Sequence, residues 1–328
     1  SSDLEIVSTD KKTEVVAKVI QGGELKSKKG VNLPNTKISL PALTEKDIAD
    51  AIFAIGQQVD WIALSFVKTP RDLQDLQELI AEHSEFKIPI IAKIEMPEAL
   101  ENMDKIVAYC DALMVARGDL GVELPAHEVP LVQKELIVRA KTARIPVIVA
   151  TQMMESMMER TKPNRSEVTD VANAVLEGAD AVMLSGETAM GDYPVLVVEM
   201  MSKIILEVER TAYDYDRDDI LAPQAHSPSL LSDALCYSAC KLAQDVNASA
   251  LIGMTQSGYT AFMLSSYRPK APLFIFSKER GLINQLSLSW GVRAFHYAEE
   301  ESLDDIFQDQ LNILKERGFV KSGSIVVN

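Results

Sequence analysis

At 328 residues and 47% hydrophobic content, the chain carries enough apolar material for one large or two ordinary globular domains. Its 48 acidic against 33 basic residues give a net charge of −15, which argues against a nucleic-acid surface, because neutralising phosphates takes clustered Lys and Arg. With no apolar run of the length a membrane span needs, no basic start of the signal-peptide type, and three isolated cysteines without a Cys-x-x-Cys, a soluble cytoplasmic protein with no membrane partner is expected.

In chain order, Leu4–Val7 and Val15–Ile20 read as a β-hairpin around the charged turn Asp10-Lys-Lys-Thr, and Lys26–Asn35 as a basic connector. Thr44 is an N-cap ahead of an acidic first turn and an apolar stripe, Ile48, Ile52, Phe53 and Ile55. Strand-like runs follow at Trp61–Val67, Ile88–Ile94, Ala112–Ala116, Pro146–Ala150 and Ala181–Leu184, with helical patterns such as Arg71–Glu82 and Val168–Leu176 between them. Short, continuously apolar strands alternating with helices predict a covered parallel sheet. Five βα units do not close an eight-stranded barrel, so the pattern fits either an open doubly wound sheet or a barrel without its first three strands, and the β-type start favours the second. Residues 213–227 read as a linker. A helix at Leu230–Val246 and strands at Ala250–Met254, Pro272–Phe276, Val292–Phe295 and Ile325–Val327 then predict a smaller α/β domain.

Each strand of the first domain ends in polar residues, and in a (β/α)8 arrangement such ends meet on one face. Lys93 and Glu95 are two apart, so they share a face, and Asp119 follows the next strand. Two carboxylates beside a lysine suit a hard divalent cation next to an anion, the lysine stabilising a transferring phosphoryl group or an enolate; the alternative is salt bridges capping the sheet. Gly118-Asp119-Leu120-Gly121 would form a tight turn at a helix start with N–H groups facing an anion, although such a sequence is common in ordinary turns. Thr151 offers a hydroxyl that orients a proton or simply caps a turn. Met153, Met154, Met157 and Met158, and the Cys236/Cys240 pair one helical turn apart, read as packing rather than ligands. In the smaller domain, Thr255-Gln-Ser-Gly-Tyr-Thr260 between a strand and a helix is either a phosphate cradle or an ordinary turn with a Thr cap.

IIAKIE, VARGDLGVEL, ATQMMESM, NRSEVTDVANAV and MLSGETAMGDYP, with KKGVNLP before and TQSGYTA after them, resemble the pyruvate kinase family over nearly the whole chain. The resemblance implies a TIM (β/α)8 barrel represented here by five of eight βα units (36–214), with the end of an inserted β domain (1–35) and a C-terminal α/β effector-type domain (215–328). Trp61 would then begin the fourth barrel strand. It implies transfer of the phosphoryl group of phosphoenolpyruvate to ADP, giving pyruvate and ATP in glycolysis, with Mg²⁺ or Mn²⁺ and K⁺ as cofactors. By motif position, Lys93 would stabilise transferring charge and Glu95 and Asp119 would hold the divalent metal. Gly118 and Asp119 would receive the substrate carboxylate, and Thr151 would line the proton-delivery side. Lys29 would contact nucleotide, and Thr255, Ser257 and Thr260 would hold the phosphate of a sugar-phosphate or nucleotide effector. A homo-oligomer, tetrameric in the family, is implied. Met190 departs from the pattern, standing where some members have a lysine near the nucleotide. The family's K⁺ ligands and several of its substrate arginines lie on strands outside this sequence, so the chain alone is expected to be inactive. A metal-dependent lyase acting on a pyruvate enolate and a non-catalytic sugar-phosphate-binding protein are the competing readings.

Overall fold

A computed structural model describes residues 3–23, 41–212, 229–298 and 302–328. Ser1–Lys37 separates as a small unit of its own. Within it, β1 (Asp3–Thr9) and β2 (Val15–Gln21) pair antiparallel, with Thr9 opposite Val15. The turn forms because one Asp10 carboxylate oxygen accepts the backbone N–H groups of Glu14, Lys12 and Thr13, at 2.9, 2.8 and 2.9 Å. Those three donors hold the Asp10 carboxyl well below the ordinary carboxylate range.

The second unit, Ile38–Asn328, contains two parallel sheets. Its first helix, Glu45–Gly56, starts where the sequence places it: Thr44 accepts from Asp47 N–H while the Asp47 side chain accepts from Thr44 N–H, a closed capping box. The first sheet runs β3 (Ile62–Leu64), β4 (Ile90–Ile94), β5 (Ala112–Ala116), β6 (Val147–Ala150) and β7 (Ala181–Met183), in strictly sequential spatial order. Period-two alternation sorts its side chains. Ile90, Ala92, Ile94, Leu113, Val115, Val147 and Val149 face a core shared with Leu73, Leu76, Leu136, Ile137, Val171 and Val197 of the helices. Ile91, Ala112, Met114, Ile148 and Ala150 form a separate cluster on the other face. Helices on one face and sequential strand order belong to a barrel wall rather than a doubly wound sheet, in which the order reverses. Among the described residues the wall is open, with β3 and β7 as its edges.

The second sheet has the order β10 (Val292–His296), β9 (Leu273–Ser277), β8 (Ala250–Met254), β11 (Val326–Val327), all parallel. Helix Leu230–Asp245 packs on it through Cys236, Cys240 and Ala243. Met153, Met154 and Met157 are fully buried in the first core and are packing, while Met158 is half-buried. Cys236 and Cys240 are likewise core residues, and burial pushes the Cys110 and Cys240 thiols up to about 12. All three cysteines are therefore expected to resist alkylation at pH 8 in the native protein and to react fully in denaturant. Stoichiometric labelling of the native chain, counted by mass spectrometry, would contradict this packing.

Candidate active site

The polar residues that end the apolar strands lie along one edge of the first sheet, because parallel pairing sets Ile94 beside Val115 and Ala116 beside Ala150. Lys93 and Glu95 continue the Ile91 face of β4, away from the helices. Lys93 Nζ lies 2.6 Å from Glu95 Oε1 and donates to Ser65 Oγ at 2.7 Å. Glu95 is 1% exposed. Its Oε2 accepts the Phe66 N–H at 2.7 Å, while Oε1 pairs with the ammonium and has no aligned hydrogen-bond donor among the described residues. Phe66, whose N–H meets Glu95, takes a left-handed φ of 54°.

Around Thr151 a second group gathers. Thr151 and Gln152 follow β6 with φ of 71° and 54°, two successive left-handed residues of which the first is β-branched. The Thr151 hydroxyl donates to Ala150 O at 2.6 Å and accepts the Gly118 N–H at 2.7 Å. A Cβ on residue 118 would stand 3.3 Å from that hydroxyl, so glycine keeps the approach close. Gly118 and Asp119 lie in the first turn of helix Arg117–Glu123, not in the tight turn expected from the Gly-Asp-x-Gly pattern; the chain winds into a helix directly after β5. Asp119 is exposed and makes no ion pair or hydrogen bond among the described residues. The expected set therefore falls into two groups, Lys93 with Glu95 and Gly118 with Thr151, and Asp119 stands at the tip of the strand between them.

The sequence reading missed Asp170 and Gln133, which sit inside helices with no local pattern to mark them, yet meet Arg117 at 2.7 and 3.3 Å. Glu187 is also buried, and accepts the Ser185 and Met154 N–H groups at 2.7 and 3.2 Å. Among the described residues no group of three or more His, Cys, Asp or Glu gathers as a metal cage, so a cation at this edge would rest on two carboxylates.

In the smaller domain, Thr255 is buried and its hydroxyl accepts the Gly258 N–H at 3.0 Å, while Ser257 Oγ faces the Tyr259 N–H at 3.4 Å. Gly258 has φ 86°, and a Cβ there would strike Leu282 Cδ1 at 2.7 Å. The loop is thus a built entry to helix Tyr259–Ser266, with Ser257 exposed and Thr260 half-buried. Lys29 lies outside the described residues.

A one-sided parallel wall with ionic strand ends, followed by a second parallel α/β sheet, defines a barrel-type fold with its polar edge at the strand C-termini. The family model described as "Pyruvate kinase, barrel domain" matches residues 2–198, and "Pyruvate kinase, alpha/beta domain" matches residues 233–328. The chain belongs to the pyruvate kinase family. It is 43% identical to a pyruvate kinase of Bacillus licheniformis over 99% of its own length and 55% of the relative's. With a pyruvate kinase of Mycobacterium tuberculosis it shares 43% identity over 96% of its length and 65% of the relative's. With that of Corynebacterium efficiens it shares 44% over 90% and 61%. The chain spans between about half and two-thirds of the length of these curated relatives. Among the described residues no helix is long and apolar enough to cross a membrane.

Proposed function

We propose that the protein containing this chain transfers the phosphoryl group of phosphoenolpyruvate to ADP. The observation that carries this reading is the Lys93 ammonium held 2.6 Å from the buried Glu95 carboxylate at the end of β4, with the free Asp119 carboxylate at the end of the neighbouring strand. In the reaction the enol P–O bond breaks, a bond forms to the terminal oxygen of ADP, and the enolate takes a proton on carbon to give pyruvate. Lys93 is the group that opposes the charge on the phosphoryl and enolate oxygens. Glu95 Oε1 and the unpaired Asp119 fit a hard divalent cation, Mg²⁺ or Mn²⁺, which takes one or two protein carboxylates and leaves other positions to water and substrate. Such a cation supplies neutralisation of phosphoryl and enolate oxygens. The Gly118 and Asp119 N–H groups lack intrahelical partners at the start of their helix and suit the substrate carboxylate; for Gly118 this requires the Thr151 hydroxyl to release its hydrogen bond. Thr151 serves the side from which the proton arrives.

Residues 1–35, 36–214 and 215–328 correspond on this reading to the end of the inserted β domain, five of the eight βα units of the barrel and part of the effector-type domain. Thr255, Ser257 and Thr260 receive an effector phosphate, and Lys29 contacts nucleotide. K⁺ dependence and a homo-oligomer go with the same reading. The full-length protein assayed with phosphoenolpyruvate, Mg²⁺ and K⁺ should form ATP only when ADP is added. Pyruvate released without ADP would favour a lyase instead. The 328-residue chain alone, whose described wall is open, is expected to form none. It should nonetheless bind Mn²⁺ through Glu95 and Asp119, with Glu95→Gln weakening binding at least tenfold.

A further inference from the structure

Arg117 has no role in the chemistry proposed above, yet it is the most heavily committed side chain at the catalytic edge. It is 11% exposed. Its Nη2 donates to Thr151 O at 2.7 Å and touches Met153 Sδ at 2.8 Å, and its Nε donates to Ala150 O at 3.4 Å. Nη1 meets Asp170 Oδ1 at 2.7 Å and Gln133 Oε1 at 3.3 Å. A salt bridge that only tied β5 to helix Arg165–Glu177 would need the Asp170 contact alone. Instead half of the guanidinium is aimed at the carbonyls of the two residues where β6 ends and the left-handed turn begins.

Within that turn the Thr151 hydroxyl bonds Ala150 O at 2.6 Å, whereas the Thr151 carbonyl takes its donor from Arg117. Left-handed backbone is disfavoured for a β-branched residue, and Gln152 extends it by a second position. Without donors on its carbonyls the Ala150–Gln152 segment would relax toward right-handed or extended backbone, carrying the Thr151 hydroxyl with it. Neighbouring residues after β5 divide the work: Arg117 fixes the Thr151 carbonyl throughout, and the Gly118 N–H holds its hydroxyl until substrate takes that N–H. The planar guanidinium reaches several acceptors from one rigid group, which an ammonium cannot reproduce.

We propose that Arg117, held by Asp170, is a positioning residue for the proton-delivery step, acting through the backbone of Thr151. The inference rests on the reading of Thr151 as the residue on the proton side. Proton delivery run backwards is exchange of pyruvate methyl protons with solvent, which isolates it from phosphoryl transfer to ADP. The experiment follows that exchange by NMR in D₂O, using the full-length protein with pyruvate, Mg²⁺, K⁺ and inorganic phosphate. Thr151→Val, Arg117→Lys, Asp170→Asn and the double variants with Thr151→Val are compared, with Mn²⁺ affinity measured alongside. Thr151→Val should slow exchange by about 10²-fold, the low end of general acid–base contributions. Arg117→Lys should slow it at least tenfold in the wild-type background and less than twofold in the Thr151→Val background, with Mn²⁺ affinity kept within twofold throughout. Asp170→Asn should follow the same pattern with a smaller loss, and decides the matter if Arg117→Lys does not fold. Undiminished exchange in the Arg117 and Asp170 variants, a loss that multiplies with that of Thr151→Val, or a parallel loss of Mn²⁺ binding would overturn the inference. Normal exchange in Thr151→Val itself would overturn the reading of Thr151, and the inference with it.

Discussion

Lys93→Met in the full-length protein is expected to lower kcat by about 10²–10³-fold, the cost of removing one preorganised donor from developing negative charge. Methionine keeps most of the side-chain volume and removes the charge, so the substitution tests electrostatics rather than packing. The ammonium donates to Ser65 Oγ and pairs with Glu95 Oε1, which together hold it at the strand end, and with 24% of the side chain exposed it still opens to a ligand. The variant should also lose about 1–3 kcal/mol of stability, because the buried Glu95 oxygen is left without its cation while Phe66 N–H serves only the other oxygen. Steady-state kinetics and thermal unfolding separate the two effects. Binding of a sugar phosphate at the Thr255–Thr260 loop should not change, since that loop belongs to the other sheet. Turnover within threefold of wild type would remove Lys93 from the chemistry.

The Lys93–Glu95 pair could be read from the sequence because its determinant is local. Side chains two apart on a strand share a face, and an apolar run that turns ionic announces where that face ends. The same logic recovered all five strands of the wall and their sequential helices. What period-two reading could not supply is the partner of each charge. Arg117 looks like one more ionic strand end, and only folding brings it to Asp170, 53 residues away, and to the carbonyl of Thr151. Thr151 is a β-branched residue in backbone that its own propensity opposes, so no local rule predicts the turn, and two of the donors that meet it come from residues more than 30 positions away. The Gly118–Gly121 run was legible in part: the helix start it marks is present, but the tight turn is not. Its glycines suggested a tight turn, whereas the chain continues into a helix once Leu120 is buried beneath it.

Asp180→Ala is expected to destabilise the native protein by about 3–5 kcal/mol, the usual cost of breaking a buried ion pair from one side. Asp180 lies just before β7 and Arg268 just after helix Tyr259–Ser266 of the smaller domain; they meet at 3.0 Å with side chains 9% and 5% exposed. The carboxylate also accepts the Val147 N–H at 2.9 Å and the Trp290 N–H at 3.3 Å, so alanine strands two backbone donors as well as a guanidinium's partner. Arg268 in turn donates to Gly178 O at 2.7 Å and lies over the Trp290 ring, whose Nε1 donates to Glu209 at 2.8 Å. One carboxylate thus joins the starts of β6 and β7 to the loop before β10. Arg268→Met should cost a similar amount. The double variant should lose less than the sum of the two by about 2 kcal/mol or more, because no buried charge is then left without its partner. Unfolding midpoints measured across this cycle should fall on the order of 10 °C for each single variant. Mn²⁺ affinity at Glu95 should be unchanged, since Asp180 sits at the opposite end of the strands from the catalytic edge. Additive losses would mean that the two residues stabilise their own domains separately. Loss of Mn²⁺ binding would mean that docking at the base of the wall reaches the site at its mouth.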